Sequence, residues 1–309
     1  MKRREEEIFS ERSHSRQNRF EPMAYHLWNG SLVNERNIKN FTTELGSYAL
    51  EQIRDHDAIA MLAEYVKPSD YLSMLESSVF RLALMNGDEP NGKEIGADPV
   101  RLLPSISALV IAVYRMQSLQ KLVYPQIGQS FAYNTLFMIC GESPNAMEEL
   151  AFDSLLCAYI HVPEIQKYNI MLDSMRLIST SVFHWRKREK DRSFEKILQQ
   201  AIAEVEGIKT YPSLSNIGFT NSYDYRCGVL DHFAFVIGKQ RNELTLYKTV
   251  KKLELQQAKA GLYPHLDLYA VLLMYYLRIP TELFASLVCL GKISGWLGKR
   301  VTFNNHQLM

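Results

Sequence analysis

The stretch that decides the fold is Leu262-Tyr-Pro-His-Leu-Asp-Leu-Tyr-Ala270, which follows Gly261 and leads into an apolar run that reaches Leu277. Glycine and proline end one element here, and the apolar run after them predicts a buried helix, which we place from Leu268. Asp267 stands at the start of that helix. From the local sequence alone, it is interpreted as an N-cap that accepts a backbone N–H.

Helical periodicity extends outward from this stretch. Apolar residues recur at spacings of three and four, as in Leu283, Phe284, Leu287 and Val288, whereas alternating runs are nearly absent. Proline and glycine divide the chain into about ten to thirteen helices with short connections, which predicts an all-α fold. Predicted boundaries include Gly30, Pro68, Pro104, Pro125, Gly141, Pro163, Pro212 and Pro280, and Ser143-Pro144 is predicted to open a helix with proline in its first turn.

Length and charge limit the classes of function. The 309 residues are 47% apolar and 22% charged, which is enough to bury a sizeable core. The net charge of +1 at pH 7 gives no global attraction to nucleic acid, and we expect no such partner. The basic segment His184–Arg192 is interpreted as a solvated surface segment, with a phosphate or nucleotide site as the alternative. The apolar stretches Leu102–Val113 and Leu268–Leu290 are too short or interrupted by charge, so we expect no membrane span.

The cysteines and the N-terminal segment indicate a cytoplasmic protein. Cys140, Cys157, Cys227 and Cys289 are far apart and have no metal-ligand spacing, so we expect four buried thiols and no metal. Residues 1–19 mix both signs of charge and lack an apolar core. They are predicted to form a flexible arm and not a secretory signal.

Several segments resemble the citrate synthase family. Phe131-Ala-Tyr-Asn-Thr-Leu-Phe-Met-Ile-Cys-Gly-Glu-Ser-Pro144 is similar to "N-F-L-x-M-x-x-G-E-x-P". The opening stretch, with Arg278-Ile-Pro280 and Gly295-Trp296 after it, resembles "L-Y-x-N-V-D-F-Y-S … G-I-P … F … G-W". On these residues the chain is identified as a divergent member. The resemblance implies a large helical domain at 20–182 and 271–309 and a reduced small domain at 183–270.

The family condenses an acyl-CoA with a 2-oxo acid, using an aspartate base, two histidines and carboxylate-binding arginines. The resemblance puts Asp267 at the aspartate position. Gly218–Cys227 looks like a shortened "G-F-G-H-x-V-Y … D-P-R-A", which puts Asn221 in place of the keto-polarising histidine and Arg226 at a carboxylate-binding arginine, with a surface salt bridge as the alternative. His265 replaces an asparagine; we interpret it as a surface histidine, with a replacement donor as the alternative. No cofactor is implied, since acyl-CoA would be a substrate.

Other functional segments of the family are altered. Pro163 and Gln166 occupy the histidine places of "H-A-D-H-E-x-N", where His161 is a candidate substitute. No counterpart of "H-G-G-A-N" lies between Val182 and Gly218, and none of "R-P … Y-T-G" follows Trp296.

The resemblance therefore leaves two hypotheses of function. The preferred one is a catalytically degenerate relative that acts through binding, as a homodimer or as a heterodimer with a related subunit. The alternative is an active enzyme that joins acyl-CoA to oxaloacetate or another 2-oxo acid, with Asp267 as the base and Asn221, His265 or His161 as donors.

Overall fold

The computed structural model describes residues 19–30, 34–67, 74, 75, 77, 78, 98–160 and 218–307. These ranges are mostly helical, which confirms the predicted all-α class. The helices are α1 (Phe20–Asn29), α2 (Glu35–Arg54), α3 (His56–Tyr65), α4 (Pro99–Gln117), α5 (Phe131–Cys140), α6 (Ala146–Tyr159), α7 (Arg226–Gln240), α8 (Thr245–Ala258), α9 (Leu266–Tyr276), a short 3-10 helix (Thr281–Leu283) and α10 (Phe284–Gln307). Two short strands, β1 (Phe219–Thr220) and β2 (Tyr263–Pro264), complete the described elements.

Local sequence explains most of the helix ends. Gly30 and Gly141 adopt positive φ angles of 66° and 78° directly after α1 and α5, as C-capping glycines do, so both predicted boundaries are confirmed. Asn145 caps α6, and its side chain forms a capping box with Glu148. The prediction that Ser143-Pro144 opens this helix is therefore wrong. Asn145 is the N-cap, and the helix starts after the proline, at Ala146.

Pro104 does not mark a boundary either. It lies inside α4, which begins at Pro99 under the cap of Asp98. Proline at this point deprives the carbonyl of Val100 of one helical hydrogen bond. Burial of the helix on both sides of Pro104 compensates for that loss, since Leu103 and Ser105 are fully buried.

The described helices share one hydrophobic core. The most extensive packing joins α2 to α4, α7 to α9, and α10 to both α1 and α6. The predicted apolar face of Leu283, Phe284, Leu287 and Val288 is buried in that core. Trp28 of α1 also donates its indole N–H to the carbonyl of Ser294 in α10 at 2.9 Å. The first and last described helices are thus packed and hydrogen-bonded together.

Helix α4 is longer than the apolar stretch Leu102–Val113 that was identified in the sequence. Its 19 residues are long and apolar enough, by length and composition, to cross a membrane. However, 78% of its most apolar segment is buried inside the protein, as expected for the central helix of a folded core. The apolar character of α4 is accounted for by this packing.

The two strands form an antiparallel ribbon that positions α9. Phe219 lies opposite Pro264, and Thr220 lies opposite Tyr263. The ribbon continues into a hydrogen bond of 2.9 Å from the N–H of His265 to the carbonyl of Gly218. Helices α7 and α8 lie between the strands in sequence, so the ribbon joins the start of this helical hairpin to its end.

The predicted division into a large domain and a reduced small domain stays a prediction. Pro163, Pro212, His161 and the basic segment 184–192 lie outside the described residues. The prediction of four buried thiols is corrected at two positions: Cys227 and Cys289 are buried, but Cys157 is only partly buried and Cys140 is exposed. It is the last residue of α5, where the helix leaves the core.

Candidate functional site

Asp267 lies in the first turn of α9 and is buried, with 5% of its surface exposed. The helix begins at Leu266, and His265 is its N-cap: Nδ1 of His265 accepts the backbone N–H of Asp267 at 3.2 Å. The interpretation of Asp267 as the N-cap is therefore wrong, because the preceding histidine takes that position. The carboxylate of Asp267 has other partners.

Each oxygen of the Asp267 carboxylate has a neighbour from a different part of the fold. The hydroxyl of Tyr159, at the end of α6, donates to Oδ1 at 2.6 Å. Nδ1 of His265 lies 3.2 Å from Oδ2. Burial by itself raises the pKa of Asp267, but the hydrogen bonds from His265 and Tyr159 and the charges of His265 and Lys292 outweigh it and hold the pKa below its ordinary value. Asp267 is thus an anion at neutral pH.

His265, which we expected to be a surface histidine, is partly exposed, at 28% of its side chain, and it also contacts Asp267. Its Nδ1 lies at the same distance, 3.2 Å, from the amide nitrogen and from Oδ2 of Asp267. A neutral Nδ1 accepts the amide N–H, whereas a protonated Nδ1 donates to the carboxylate. The ribbon fixes this geometry through the backbone bond of His265 to Gly218.

Arg226, the first residue of α7, is held within the protein. Its Nε donates to Oδ1 of Asp224 at 2.9 Å, and its Nη2 donates to Oδ2 at 2.6 Å. Its Nη1 donates to the carbonyl of Ala158 near the end of α6 at 2.9 Å. The hydrogen bonds from Arg226 lower the pKa of Asp224, and Asp224 in turn raises the pKa of the guanidinium. Arg226 therefore caps the C-terminal turn of α6, where a cation is favourable.

Asn221 is exposed and lies at the other end of the ribbon. Gly218 bonds to His265, and Thr220 pairs with Tyr263, so the strand carries Asn221 away from α9. Within the described part of the chain, Asn221 makes no hydrogen bond to Asp267. Of the predicted site residues, Asp267 and His265 are in contact. Arg226 is linked to them through α6, because it bonds to Ala158, the residue before Tyr159.

The sequence did not reveal two contributors to this site, Tyr159 and Lys292. Tyr159 lies 108 positions before Asp267 and carries no local motif. Lys292 places Nζ 5.8 Å from the centre of the Tyr159 ring. Asp224, two residues before Arg226, was a readable signal, since an acidic residue so close to an arginine favours a local ion pair. Among the described residues no group of three or more histidine, cysteine or acidic side chains is arranged to hold a metal ion.

Comparison with known proteins identifies the fold. The family described as "Citrate synthase, C-terminal domain" matches residues 7–161 and 218–309. The chain belongs to the citrate synthase family. The match leaves out residues 162–217, which include Pro163, Gln166 and the stretch after Val182 in which no counterpart of "H-G-G-A-N" was found.

Individual citrate synthases are distant relatives of this chain. The citrate synthase of Synechocystis sp. is 24% identical over 307 residues, which cover 90% of this chain and 76% of that protein. The citrate synthase of Haloferax volcanii is 21% identical over 307 residues, covering 90% and 80% of the two chains. These identities support family membership. They are low enough for the chain to differ from its relatives at the site residues.

Solved citrate synthases share the fold. The Thermoplasma acidophilum enzyme, in a ternary complex with carboxymethyl coenzyme A and oxaloacetate, superposes with a TM-score of 0.77 at 18% identity and covers 97% of this chain and 84% of its own. The Thermotoga maritima enzyme gives 0.66 at 17% identity, with coverage of 92% and 80%. The described part of the chain thus has the citrate synthase fold.

Proposed function

We propose that this member of the citrate synthase family is catalytically degenerate and acts through binding, as a homodimer or with a related subunit. One observation carries the proposal: Arg226, at the position of a carboxylate-binding arginine, donates from all three of its nitrogens to Asp224 and Ala158. A guanidinium committed in this way is poorly placed to grip the carboxylate of a 2-oxo acid by a bidentate pair.

The changed sequence around the site supports the same proposal. Asn221 stands in place of a keto-polarising histidine and lies in an exposed position beyond the far end of the ribbon. An asparagine donates a hydrogen bond but never becomes a cation. Catalytic groups that act as a unit lose most of their effect when a member is removed, so the aspartate left alone would give little rate.

Retention of the fold without its chemistry favours a role in association. A second copy of the chain or a related citrate synthase subunit is the partner that this fold suits best, in keeping with the predicted cytoplasmic location. Light scattering of the purified chain, alone and mixed with a citrate synthase of the same cell, measures that association. A chain that stays monomeric in both samples would contradict the proposed role.

Activity is tested directly by incubating the protein with acetyl-, propionyl- or longer acyl-CoA and oxaloacetate and measuring free CoA. The expected result is no release above a protein-free control. Because the chain has four cysteines, free CoA is measured by chromatography and not with a thiol reagent. Release that is lost in Asp267→Ala and kept in the control Asp57→Ala, a change at an exposed aspartate, would overturn the proposal.

The second candidate is an active acyl-CoA/2-oxo-acid condensing enzyme. The ionised state of Asp267 favours it, since a general base must be unprotonated at the working pH. His265 and Tyr159 would then supply hydrogen bonds near the base, with Asn221 or His161 as further donors. The same assay decides between the two candidates, because only this one predicts CoA release that depends on Asp267.

A further inference from the structure

Tyr159 and Asp267 form a contact that joins two helices far apart in sequence. The hydroxyl of Tyr159 donates to Oδ1 of Asp267 at 2.6 Å, and each residue is only 5% exposed. A short O–H bond to an ionised carboxylate is about twice as strong as a bond between neutral groups. This bond restrains the rotation of the Asp267 carboxylate.

Gly291 allows Tyr159 to reach this position. A Cβ at residue 291 would lie 2.8 Å from Cβ of Tyr159 and 2.9 Å from the carbonyl oxygen of Leu156. The backbone of α10 therefore lies directly against the last turn of α6. On the next residue, the ammonium of Lys292 lies over the Tyr159 ring. The tyrosine is thus held from one side by α10 while its hydroxyl meets α9.

We propose that Tyr159 is the positioning residue of Asp267: held by Gly291 and Lys292, its hydroxyl fixes Oδ1 and so directs Oδ2 towards His265. This role does not rest on the proposed function, because it concerns the carboxylate in the free protein. In a condensing enzyme the contact would orient the base. In a degenerate member it keeps a fixed anion in the first turn of α9, where the helix dipole favours negative charge.

The test follows the titration of Asp267 in the full-length chain, labelled with 13C at the aspartate carboxyl carbons. The Asp267 resonance is assigned from the spectrum of Asp267→Asn. Tyr159→Phe removes the hydroxyl and keeps the ring, so the titration midpoint of Asp267 is expected to rise by about one pH unit. An unchanged midpoint in folded Tyr159→Phe would overturn the positioning role.

Tyr276→Phe is the matched control. It also loses a tyrosine hydrogen bond, from the N–H of Tyr247 at 3.0 Å, and it lies on the same helix as Asp267. The midpoint of Asp267 is expected to stay where it is in this variant. An equal rise in both variants would mean that general loosening of α9 causes the shift, which also contradicts the role of Tyr159.

Gly291→Ala gives a second route, since it keeps the Tyr159 hydroxyl and displaces the ring. The Asp267 midpoint is expected to rise here as well, by less than in Tyr159→Phe. A measurement on the unsubstituted chain guards against misfolded variants. With tyrosines labelled at 13Cζ, one tyrosine resonance is expected to change with the same midpoint as the Asp267 carboxyl, and the absence of any such resonance would overturn the proposal.

Discussion

The carboxylate of Glu21 accepts the backbone N–H of Phe131 at 2.6 Å, so a side chain of α1 caps the first residue of α5. A reciprocal arrangement lies beside it, because Asp153 of α6 accepts the N–H of Phe20, the first residue of α1, at 3.2 Å. Both carboxyl groups are buried. Burial is the largest cause that raises the pKa of each, and the charge of Glu21 raises the pKa of Asp153 further.

These raised pKa values predict a loss of stability towards alkaline pH. A group that binds its proton more tightly in the folded state stabilises the fold below its unfolded pKa, and that contribution disappears as the pH rises through the folded value. Asp153→Asn keeps an oxygen to accept the Phe20 N–H but has no proton to lose. We expect its unfolding free energy to exceed that of the parent by about 1 to 3 kcal/mol once the pH is above the folded pKa of Asp153, the scale of a poorly compensated buried group.

Urea unfolding at a series of pH values above the ordinary carboxyl range measures this difference. The advantage of Asp153→Asn over the parent should grow as the pH rises. Asp57→Asn, which changes an exposed aspartate, should follow the parent curve throughout. Parallel curves for Asp153→Asn and the parent would show that the buried pair does not exchange a proton over this range.

Two glycines of α7 predict opposite effects of the same substitution. A Cβ at Gly228 would meet nothing within 4 Å, so Gly228→Ala is expected to stabilise the protein by up to about 1 kcal/mol through helix propensity. A Cβ at Gly238 would lie 3.1 Å from the Tyr276 ring and 3.2 Å from Leu244. Gly238→Ala should therefore cost about 1 to 3 kcal/mol through overpacking. Thermal unfolding of the two variants beside the parent compares them, and a gain in both would contradict the close packing of α7 on α9.

Asp224→Asn is expected to release Arg226. The pKa of Asp224 is lowered in the fold, so its stabilising contribution is present at neutral pH and is lost as the pH falls through the folded value. Because the pair is partly exposed, we expect a loss of about 1 kcal/mol at neutral pH. Glu51→Gln, which breaks the more exposed pair with Arg101, should change stability by less.

The same Asp224→Asn variant also reports on the freed guanidinium. Calorimetric titration with oxaloacetate should give tighter binding than to the parent, since Arg226 then lacks its internal carboxylate partner. Equal binding by both proteins would indicate that Arg226 is not available to a dicarboxylate even after release, and that its hydrogen bond to Ala158 is sufficient to hold it.

A second polar network joins α7, α8 and α9. The Tyr269 hydroxyl donates to Glu254 at 2.7 Å and lies 3.0 Å from Nζ of Lys251, which also pairs with Asp231 and Glu254. Burial raises the pKa of Tyr269, so its hydroxyl stays protonated. Tyr269→Phe should cost about 1 kcal/mol, because it removes the hydrogen bonds of the hydroxyl to Glu254 and Lys251, which remain paired with each other. Denaturant unfolding against Tyr275→Phe, a more exposed tyrosine of the same helix, checks the value; equal losses would contradict the network.

The fold was more readable from the sequence than the site. Apolar spacing and C-capping glycines such as Gly30 and Gly141 are local signals, and they predicted the helical class and several ends correctly. The prediction of a helix boundary at Pro104 was wrong, because the burial of a long helix outweighs one missing hydrogen bond. Two neighbours of Asp267, Tyr159 and Lys292, could not be predicted, since they reach it only through the packing of α6 and α10. The role of Arg226 was left open for a similar reason, because one of its acceptors is the backbone of α6.

The ribbon of β1 and β2 determines how the α7–α8 hairpin is attached to the site. It fastens together the two points at which the chain enters and leaves the α7–α8 hairpin, through the pairs Phe219–Pro264 and Thr220–Tyr263 and the bond from His265 to Gly218. The ribbon therefore closes residues 219–264 into a loop whose base lies beside His265, the residue that caps α9. Loss of the strand pairing would remove the backbone bond that positions His265 beside the Asp267 carboxylate.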